Sequence, residues 1–295
     1  MLYDRNCLEG KRILITGGGT GIGKGLARHM AAHGAQVHIW GRRSQVLEEA
    51  AAEINRELGE RVFWQAVDIR NYEAVDAAIG EIWDKYGPLT GLVNNAAANF
   101  IAPTKDLSPR GYEAIASTVM DGAFFTTQCT GRRWIEQGLK GSVVSTLVTW
   151  IWTGSPYVVP SSMAKAAVNA MTMSLAVEWA RYGIRLNAVA PGPFPTDYAW
   201  QMLNPTEDSS VGATQADQVP MMRYGEIAEL GNLVLLLLSD GADYITGETI
   251  AIDGGHHLAA PSTFAGLNSM SDEQWAQAKA AAKAASDKSK AQRSV

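Results

Sequence analysis

A strand, a glycine-rich turn and a helix near the start of the chain constrain the fold more than any other feature. The apolar run at 12–15 is typical of a buried strand, and the turn TGGGTGIG at 16–23 leads from it into apolar residues at helical spacing. Gly17 and Gly21 allow a sharp turn and the close approach of a pyrophosphate, and Gly23 allows the helix to pack closely on the strand. The N–H groups at the helix start favour phosphate charge. The pattern predicts a dinucleotide site, with a purely structural turn as the alternative.

Charge and cysteine content exclude several classes of protein. The 295-residue chain has a formal net charge of −5, so it offers no basic field for a nucleic-acid backbone or an anionic membrane surface. Cys7 and Cys129 lie far apart, without metal-ligand spacing, and we expect reduced thiols, no disulfide and no metal. We find no apolar signal region, and the aliphatic run at 233–238 is too short to span a membrane. We therefore expect a cytoplasmic protein.

The end of the second predicted strand, at 36–40, indicates which dinucleotide is bound. An acidic residue here would bind the ribose 2′-OH of NAD and repel the extra phosphate of NADP. The chain instead has Arg42 and Arg43, which can form a charge-assisted clamp on a 2′-phosphate. This favours NADP(H); the alternative is two solvated arginines at a helix start.

The next two predicted strands also end in residues suited to a cofactor. The strand at 61–67 is followed by Asp68 and Ile69, and the Asp68 carboxylate can accept a hydrogen bond from the adenine amino group or simply start the next helix. The strand at 89–93 runs into Asn94, Asn95 and three alanines. The small side chains would let a cofactor lie against the strand end, and the asparagines are expected to hold neighbouring backbone by hydrogen bonds.

The remaining chain continues the alternation of strands and helices, which predicts one α/β domain with a parallel sheet covered on both faces. Further predicted helices lie at 72–82, 108–137 with an interruption at Gly122, 162–179 and 226–238, further strands at 141–148, 184–189 and 248–252, and a long loop at 149–160.

Two segments lie outside this alternation. Residues 198–224 have few periodic apolar positions, and we interpret them as a substrate-covering lid, with a flexible insertion as the alternative. A helical extension is expected over 271–295, where Ser271 is a candidate N-cap with Gln274 three residues on. The reductase domain would then occupy 1–270.

Taken together, TGGGTGIG, Asp68, NNAA at 94–97, Lys165 within a helix and PGP followed by Thr196 resemble the short-chain dehydrogenase/reductase family over nearly the whole chain. The resemblance implies a single Rossmann fold with a doubly wound, seven-stranded parallel sheet in the order 3-2-1-4-5-6-7, usually as a homotetramer. Within the family, NNAAANFIAPTKDLSP, PYVVPSSMAKAAVNAM, AVEWARYGIRLNAVAPGP and SDEQW are similar to the 2,4-dienoyl-CoA reductases, NADPH enzymes of fatty acid metabolism that reduce a dienoyl thioester.

The resemblance also implies roles for individual residues. Lys165 matches the family lysine, whose ammonium binds the nicotinamide ribose and orients the ring for hydride transfer. The other implied cofactor contacts are Gly17, Thr20, Gly21, Ile22 and Gly23 at the pyrophosphate, Arg42 with Arg43 at the 2′-phosphate, Asp68 with Ile69 at the adenine, Asn94 and Ala96 near the ribose, and Pro191, Gly192 and Thr196 in the nicotinamide loop.

The catalytic positions depart from the family pattern. The usual tyrosine, four residues before the lysine, is Ser161, and the usual serine, thirteen residues before that tyrosine, is Val148. The mitochondrial type of dienoyl-CoA reductase uses a tyrosine fifteen residues before the lysine and an asparagine before the helix glycine, and these are Trp150 and Asp121 here. The replacements count against ordinary ketone and alcohol chemistry.

The replacing residues offer other hydrogen-bond donors. Trp150 can donate through its indole N–H, and Asp121 only when protonated. A neutral carboxyl group in an apolar pocket can stabilise a developing oxyanion, whereas a salt-bridged or solvated Asp121 cannot. Tyr157, eight residues before Lys165, is the nearest other phenol, with a role in proton transfer or in packing.

Aromatic side chains around these positions predict a large apolar pocket. Phe100, Trp150 and Trp152 would form a wall that suits a flat or hydrophobic acyl substrate. His256 and His257 follow the last predicted strand. We expect them to be surface histidines; the alternative is that they approach a site in an oligomer.

Three functions are consistent with this sequence. The leading hypothesis is an NADPH-dependent reductase of an activated C=C bond in an unsaturated acyl-CoA, because hydride delivery to a conjugated carbon does not strictly need a tyrosine proton donor. The second is a carbonyl or cyclic-enone reductase of a specialised pathway, with an aromatic wall in place of the acyl-CoA site. The third is an NADP-binding pseudoenzyme or structural subunit.

Overall fold

One sheet of seven parallel strands runs through the described part of the chain, which comprises residues 4–99, 101–196, 216–259, 271–274 and 276–277 of a computed structural model. The strands are β1 (Arg12–Thr16), β2 (Gln36–Gly41), β3 (Val62–Ala66), β4 (Gly91–Asn94), β5 (Gly141–Thr146), β6 (Ile184–Pro191) and β7 (Thr249–Ile252). The helices are α1 (Gly21–Ala32), α2 (Ser44–Leu58), α3 (Tyr72–Tyr86), α4 (Pro109–Ala116), α5 (Gly122–Glu136), α6 (Trp150–Thr153), α7 (Val159–Trp179), α8 (Ile227–Leu238) and α9 (His256–Ala259). Short 3₁₀ turns lie at Thr104–Asp106, Ala180–Tyr182, Ala216–Gln218 and Asp240–Ala242.

The strand order is β3-β2-β1-β4-β5-β6-β7, which confirms the predicted Rossmann fold. Strand β1 pairs with β2 on one side and β4 on the other, and the order reverses between β1 and β4. In open α/β sheets, ligands bind beyond the carboxyl ends of the strands at this reversal. The fold therefore places the glycine turn after β1 at the expected ligand edge.

The central strand is apolar on both sides because helices cover both faces of the sheet. Ile13 and Ile15 pack into the core that includes α1, α2 and α8, whereas Leu14 packs into the core that includes α3 and α5. Successive side chains of a strand point to opposite faces, so a continuous apolar run supplies both cores. This explains why the run at 12–15 predicts the centre of the sheet.

The predicted interruption of the long helix at Gly122 is a π-helical turn, Ser117–Asp121, that joins α4 to α5. The hydroxyls of Ser117 and Thr118 donate to backbone carbonyl oxygens four residues earlier, where they compete with the helical pattern. Gly122 itself continues the helix. A β-carbon there would lie 2.5 Å from Ile69 Cδ1, so the glycine allows close packing against the residue after Asp68.

The prediction of a long loop at 149–160 is wrong in part. Helix α6 occupies Trp150–Thr153, and α7 begins at Val159 rather than at 162. Pro160 lies in the first turn of α7, where a missing N–H costs no helical hydrogen bond. A proline that suggests a loop therefore begins a helix.

The chain divides into two compact units, Met1–His257 and Leu258–Val295. In the second unit, the Ser271 hydroxyl accepts from the Gln274 N–H and the Gln274 side chain accepts from the Ser271 N–H, which is the predicted cap. The proposed boundary at 270/271 stays a prediction. Residues 198–215 of the predicted lid lie outside the described residues.

Candidate active site

The glycine turn after β1 has the backbone geometry that its sequence predicts. Gly17 has a φ of +67° and Gly21 a φ of +53°, values in the left-handed region that favours glycine. The turn ends at α1, whose first N–H groups have no helical partner. These N–H groups form a cradle that suits a phosphate group.

A threonine and an asparagine fix the strand ends beside this cradle. The Thr16 hydroxyl accepts from the backbone N–H of Asn95 at 3.1 Å and of Ala96 at 3.0 Å. The Asn95 side-chain amide donates to the Thr16 carbonyl oxygen at 3.1 Å. The expected backbone-holding role of the asparagines is therefore confirmed for Asn95, and it joins the ends of β1 and β4.

A cleft of about 490 Å³ opens beyond the carboxyl ends of β1, β2 and β3, within the size range of ligand sites. Seven of the sequence-predicted cofactor residues line it: Gly17, Thr20, Arg42, Arg43, Asp68, Ile69 and Ala96. Both arginines are exposed to solvent at its rim. The fold thus brings together the residues predicted for the pyrophosphate, the 2′-phosphate and the adenine.

Asp68 has a partner that the sequence analysis missed. Arg70 donates to the Asp68 carboxylate through Nε at 2.9 Å and Nη2 at 2.6 Å. This guanidinium holds the pKa of Asp68 below its usual value. The carboxylate is therefore ionised and available as an acceptor at the rim of the cleft, and the spacing of two residues is the signal that could have identified the pair.

Asn94, predicted near the ribose, lies in a buried polar network. Its side-chain amide donates to the Thr127 hydroxyl at 2.8 Å, and its side-chain carbonyl oxygen accepts from the Thr126 hydroxyl at 2.7 Å. Both threonines belong to α5. The network ties the end of β4 to that helix.

The loop after β6 meets the glycine turn. A β-carbon on Gly21 would lie 3.3 Å from the Thr196 hydroxyl oxygen, so Thr196 lies directly over the turn. Pro191 ends β6, and the Gly192 N–H donates to the Ile252 carbonyl oxygen at 3.0 Å. The predicted nicotinamide loop therefore connects the glycine turn to the end of β7.

Lys165 projects from α7 to the end of β5. Its Nζ donates to the Thr146 carbonyl oxygen, and only 6% of the residue is exposed. Burial lowers the pKa of the ammonium group to about 8, because loss of hydration disfavours its charged form. The backbone partner at 146 could not be identified from side-chain identity.

The predicted substrate-side residues have different environments. Ser161 is buried in the first turn of α7, whereas Trp150, at the start of α6, and Asp121, at the end of the π turn, are partly buried. The Asp121 carboxylate has no hydrogen bond or ion pair with any other described residue. Phe100 lies outside the described residues.

Tyr157 occupies an unusual backbone conformation. Its φ of +65° is strained for a residue with a bulky side chain, and 57% of the residue is exposed. A hydrogen bond stabilises this strained conformation: the Ala102 N–H donates to the Tyr157 carbonyl oxygen at 2.9 Å. Such strain is typical of functional loops.

The expectation of two surface histidines is wrong for His257. Its ring nitrogen Nδ1 lies 2.7 Å from Oδ2 of Asp253, and the ring packs on the Trp152 indole at a centroid distance of 4.9 Å. The side chain is 17% exposed. The sequence analysis missed Asp253, although its place directly after the last strand could have identified it.

The described residues contain no group of histidine, cysteine, aspartate and glutamate side chains that could hold a metal ion. None of the helices in these residues is long and apolar enough to cross a membrane.

A protein-family model described as Enoyl-(Acyl carrier protein) reductase matches residues 17–257. With this match and the Rossmann sheet, the chain belongs to the short-chain dehydrogenase/reductase family and is an oxidoreductase. Within that family it is similar to a Bacillus subtilis protein described as "Probable 2,4-dienoyl-CoA reductase [(2E)-enoyl-CoA-producing]", with 39% identity over 252 residues that cover 85% of this chain and 98% of the relative.

Solved structures of the same family share the fold. A short chain dehydrogenase from Bacillus anthracis has 41% identity and a TM-score of 0.75, over 84% of this chain and 96% of that one. A gluconate 5-dehydrogenase from Burkholderia cenocepacia, in complex with NADP and tartrate, has 31% identity and a TM-score of 0.79, over 87% of this chain and 98% of that one. The predicted resemblance is confirmed.

Proposed function

We propose that this chain is an NADPH-dependent reductase of an activated C=C bond in an unsaturated fatty acyl-CoA, as in 2,4-dienoyl-CoA reductases. The proposal rests on one observation: the residues expected to bind the cofactor match the family pattern, whereas the residues at the usual catalytic positions do not. Lys165 is buried at the end of β5, while Ser161 and Val148 occupy the usual tyrosine and serine positions. A conjugated thioester suits this site because its own carbonyl group accepts the electrons when hydride adds to carbon.

The residues of the cleft fit NADP(H). Gly17 and Gly21 have the positive φ that the tight glycine turn requires, and Arg42 and Arg43 offer guanidinium donors to a 2′-phosphate. No acidic residue ends β2 to bind a 2′-OH in their place. The NADP complex of the gluconate 5-dehydrogenase supports the same assignment.

When bound, the reduced nicotinamide supplies hydride to the substrate. Lys165 would hold the nicotinamide ribose through Nζ and so orient the ring. The indole N–H of Trp150, and Asp121 when protonated, would donate to the thioester oxygen as negative charge develops there. Trp150 and Trp152 would provide the apolar wall against the acyl chain.

The test is NADPH oxidation with a panel of dienoyl-CoA, enoyl-CoA, ketone and cyclic-enone substrates. We expect turnover with dienoyl thioesters and little with ketones. Preference for ketones or cyclic enones would replace the proposal with the carbonyl-reductase alternative. NADPH binding without turnover of any substrate, and retention of biological function by Lys165→Ala, would indicate a pseudoenzyme.

We also propose a homotetramer in the cytoplasm, with copies paired through α5 and α7. These helices expose apolar side chains, including Phe124 and Val177, and 82% of Val177 is exposed. Val177→Glu should shift the sedimentation coefficient to a smaller species, because the new charge would be buried between copies. The matched control is Tyr244→Glu, at a fully exposed position outside these helices. No shift for Val177→Glu would count against this face.

A further inference from the structure

Asp253, which is buried, and His257, which is partly buried, form a hydrogen-bonded pair that the proposed function does not yet use. The Asp253 carboxylate accepts from the His257 backbone N–H at 2.7 Å and the Gly255 N–H at 3.0 Å, besides its 2.7 Å contact with His257 Nδ1. Only 4% of the Asp253 side chain is exposed. Burial raises the pKa of this carboxyl group, but the hydrogen bonds from His257 and Gly255 outweigh burial and lower it overall.

An ionised Asp253 determines which nitrogen of His257 is free. A carboxylate only accepts hydrogen bonds, so the nitrogen that faces it, Nδ1, carries the proton. The ring is also held by its contact with Trp152, at 34° between the two planes. Nε2 is therefore the nitrogen that can give up or take a proton. The orientation of the ring is fixed by two contacts, the hydrogen bond to Asp253 and the packing on Trp152.

The pair lies at the substrate edge of the sheet. A β-carbon on Gly192 would fall 2.6 Å from Asp253 Cβ, so Asp253 packs directly against the predicted nicotinamide loop. Trp152 belongs to α6, which begins at Trp150 and packs against α7, the helix that carries Lys165. The imidazole thus lies on the wall predicted to contact the acyl chain.

We propose that His257 is the catalytic proton donor that replaces the absent family tyrosine, with Asp253 as its positioning residue. The inference rests on the proposed function. Hydride addition breaks one C=C bond of the dienoyl thioester, and its electrons move to the thioester oxygen to give a dienolate. A C–H bond then forms at the α- or γ-carbon as the Nε2–H bond of imidazolium breaks, the C=O bond re-forms, and solvent returns a proton to Nε2.

The same contacts could serve only to cap α9, since Asp253 accepts from two backbone N–H groups. A capping role needs the carboxylate but not the imidazole of His257. A proton-transfer role needs an ionisable ring. Replacement of the ring by a phenyl group separates the two, because it keeps the aromatic packing on Trp152 and removes the nitrogen proposed to carry the proton.

The test measures hydrogen exchange, which requires no hydride transfer. Enoyl-CoA products are incubated with wild-type protein in deuterated buffer, with and without oxidised cofactor. We expect their α- or γ-protons to exchange for deuterium, because Nε2 of His257 takes up the proton in the reverse of the proposed step. His257→Phe should slow this exchange and dienoyl-CoA reduction by about 100-fold or more, the range of general acid–base catalysis. Added imidazole should partly restore both. Asp253→Asn should slow both less, because an amide still accepts from Nδ1 but lacks the charge.

His256→Phe is the matched control, because the His256 side chain has no hydrogen bond to Asp253. This substitution should leave the rates of proton exchange and of dienoyl-CoA reduction unchanged. Thermal unfolding and NADPH titration of His257→Phe establish that the variant folds and binds cofactor. Wild-type protein that reduces dienoyl-CoA without product exchange, or His257→Phe that exchanges at the wild-type rate, would overturn the role of His257 and leave the reductase function standing. Failure of wild-type protein to reduce any thioester is the separate result that rejects the function.

Discussion

The α-carbon of Gly23 lies so close to the carbonyl oxygen of Gly17 that a β-carbon on Gly23 would fall 2.1 Å from that oxygen. The same β-carbon would lie 2.6 Å from the Asn95 amide nitrogen, which also holds the carbonyl oxygens of Thr16 and Gly17. Both neighbours are fixed by the backbone of the turn or by their own hydrogen bonds. The turn therefore tolerates no side chain at Gly23.

Gly23→Ala should destabilise the fold and weaken cofactor binding. Overpacking against backbone should cost about 1–3 kcal/mol in the free energy of unfolding. Displacement of the cradle should weaken NADPH binding by about tenfold or more, equal to about 1.4 kcal/mol. Urea unfolding and fluorescence titration measure the two effects.

Gly80→Ala is the control, because Gly80 lies inside α3 and, among the residues that the structure describes, a β-carbon there meets only the Arg133 guanidinium, at 3.5 Å. It should stabilise the protein by about 0.5–1 kcal/mol through helix propensity and leave NADPH affinity unchanged. Equal affinities of Gly23→Ala and wild-type protein for NADPH would show that the turn does not seat the cofactor.

Arg42 and Arg43 should determine the preference between the two dinucleotides. Loss of a hydrogen bond to a charged group costs about 1.5–3 kcal/mol, so Arg42→Ala should weaken NADPH binding by about 10- to 150-fold, and the double variant with Arg43→Ala should weaken it further. NADH affinity should hardly change, because NADH has no 2′-phosphate. Titration with both dinucleotides measures the ratio.

The control for this preference is Arg56→Ala, which removes an exposed arginine from α2 that does not line the cleft. It should leave the ratio of the two affinities unchanged. If the Arg42 and Arg43 variants lose affinity for NADPH and NADH by the same factor, the arginines do not bind the 2′-phosphate.

The parts of the site that depend on local backbone geometry could be predicted from the sequence. Gly17 and Gly21 require positive φ, and the glycine spacing between a strand and a helix indicates this directly. The strand order followed from the family resemblance that these motifs carry. The pairing of Arg70 with Asp68 was not predicted, although the two lie two residues apart, because an exposed arginine can also remain solvated or bind another group.

The parts that depend on tertiary contact could not be predicted. The partner of Lys165 is a backbone carbonyl oxygen at residue 146, nineteen positions earlier, and every residue type carries one. His257 was assigned to the surface because its covering group, Trp152, comes from a helix that the sequence analysis took for a loop. The burial of His257 could therefore not be predicted, because it depends on a contact with a helix that was itself not predicted.

Lys165 should make the stability of the protein depend on pH in the alkaline range. Its pKa is about 8 in the folded chain, against an ordinary value of 10.5. Between these values the unfolded chain holds more protons, so folding stability rises as the pH increases through this window. Below it, the buried charge costs up to about 3 kcal/mol.

Lys165→Met should therefore be more stable than wild-type protein at neutral pH, although it should lose reductase activity. The gain should shrink as the pH rises from about 8 towards 10.5, since the wild-type amine becomes neutral in both states. Urea unfolding across that range measures it, with Lys105→Met as a control for removal of an exposed lysine. A gain that stays constant with pH would contradict this account.

His38 should make the protein sensitive to acid. It is 2% exposed on β2, and its Nε2 has no hydrogen-bond partner among the described residues. The ring packs on Phe63 at 5.4 Å and meets the edge of Tyr86 at 4.8 Å. Burial, together with the charges of Arg12 and Lys85, lowers the pKa of His38 from 6.5 to about 4.

Between pH 6.5 and about 4, the unfolded chain protonates this histidine and the folded chain does not, so stability falls as the pH falls through this window, by up to about 3 kcal/mol. His38→Phe keeps a ring between Phe63 and Tyr86 but cannot take up a proton. It should lose less stability than wild-type protein on acidification, whereas His256→Phe, outside this aromatic cluster, should behave as wild type. Urea unfolding at neutral and acidic pH compares the three proteins, and equal acid losses for His38→Phe and wild type would show that another group carries the effect.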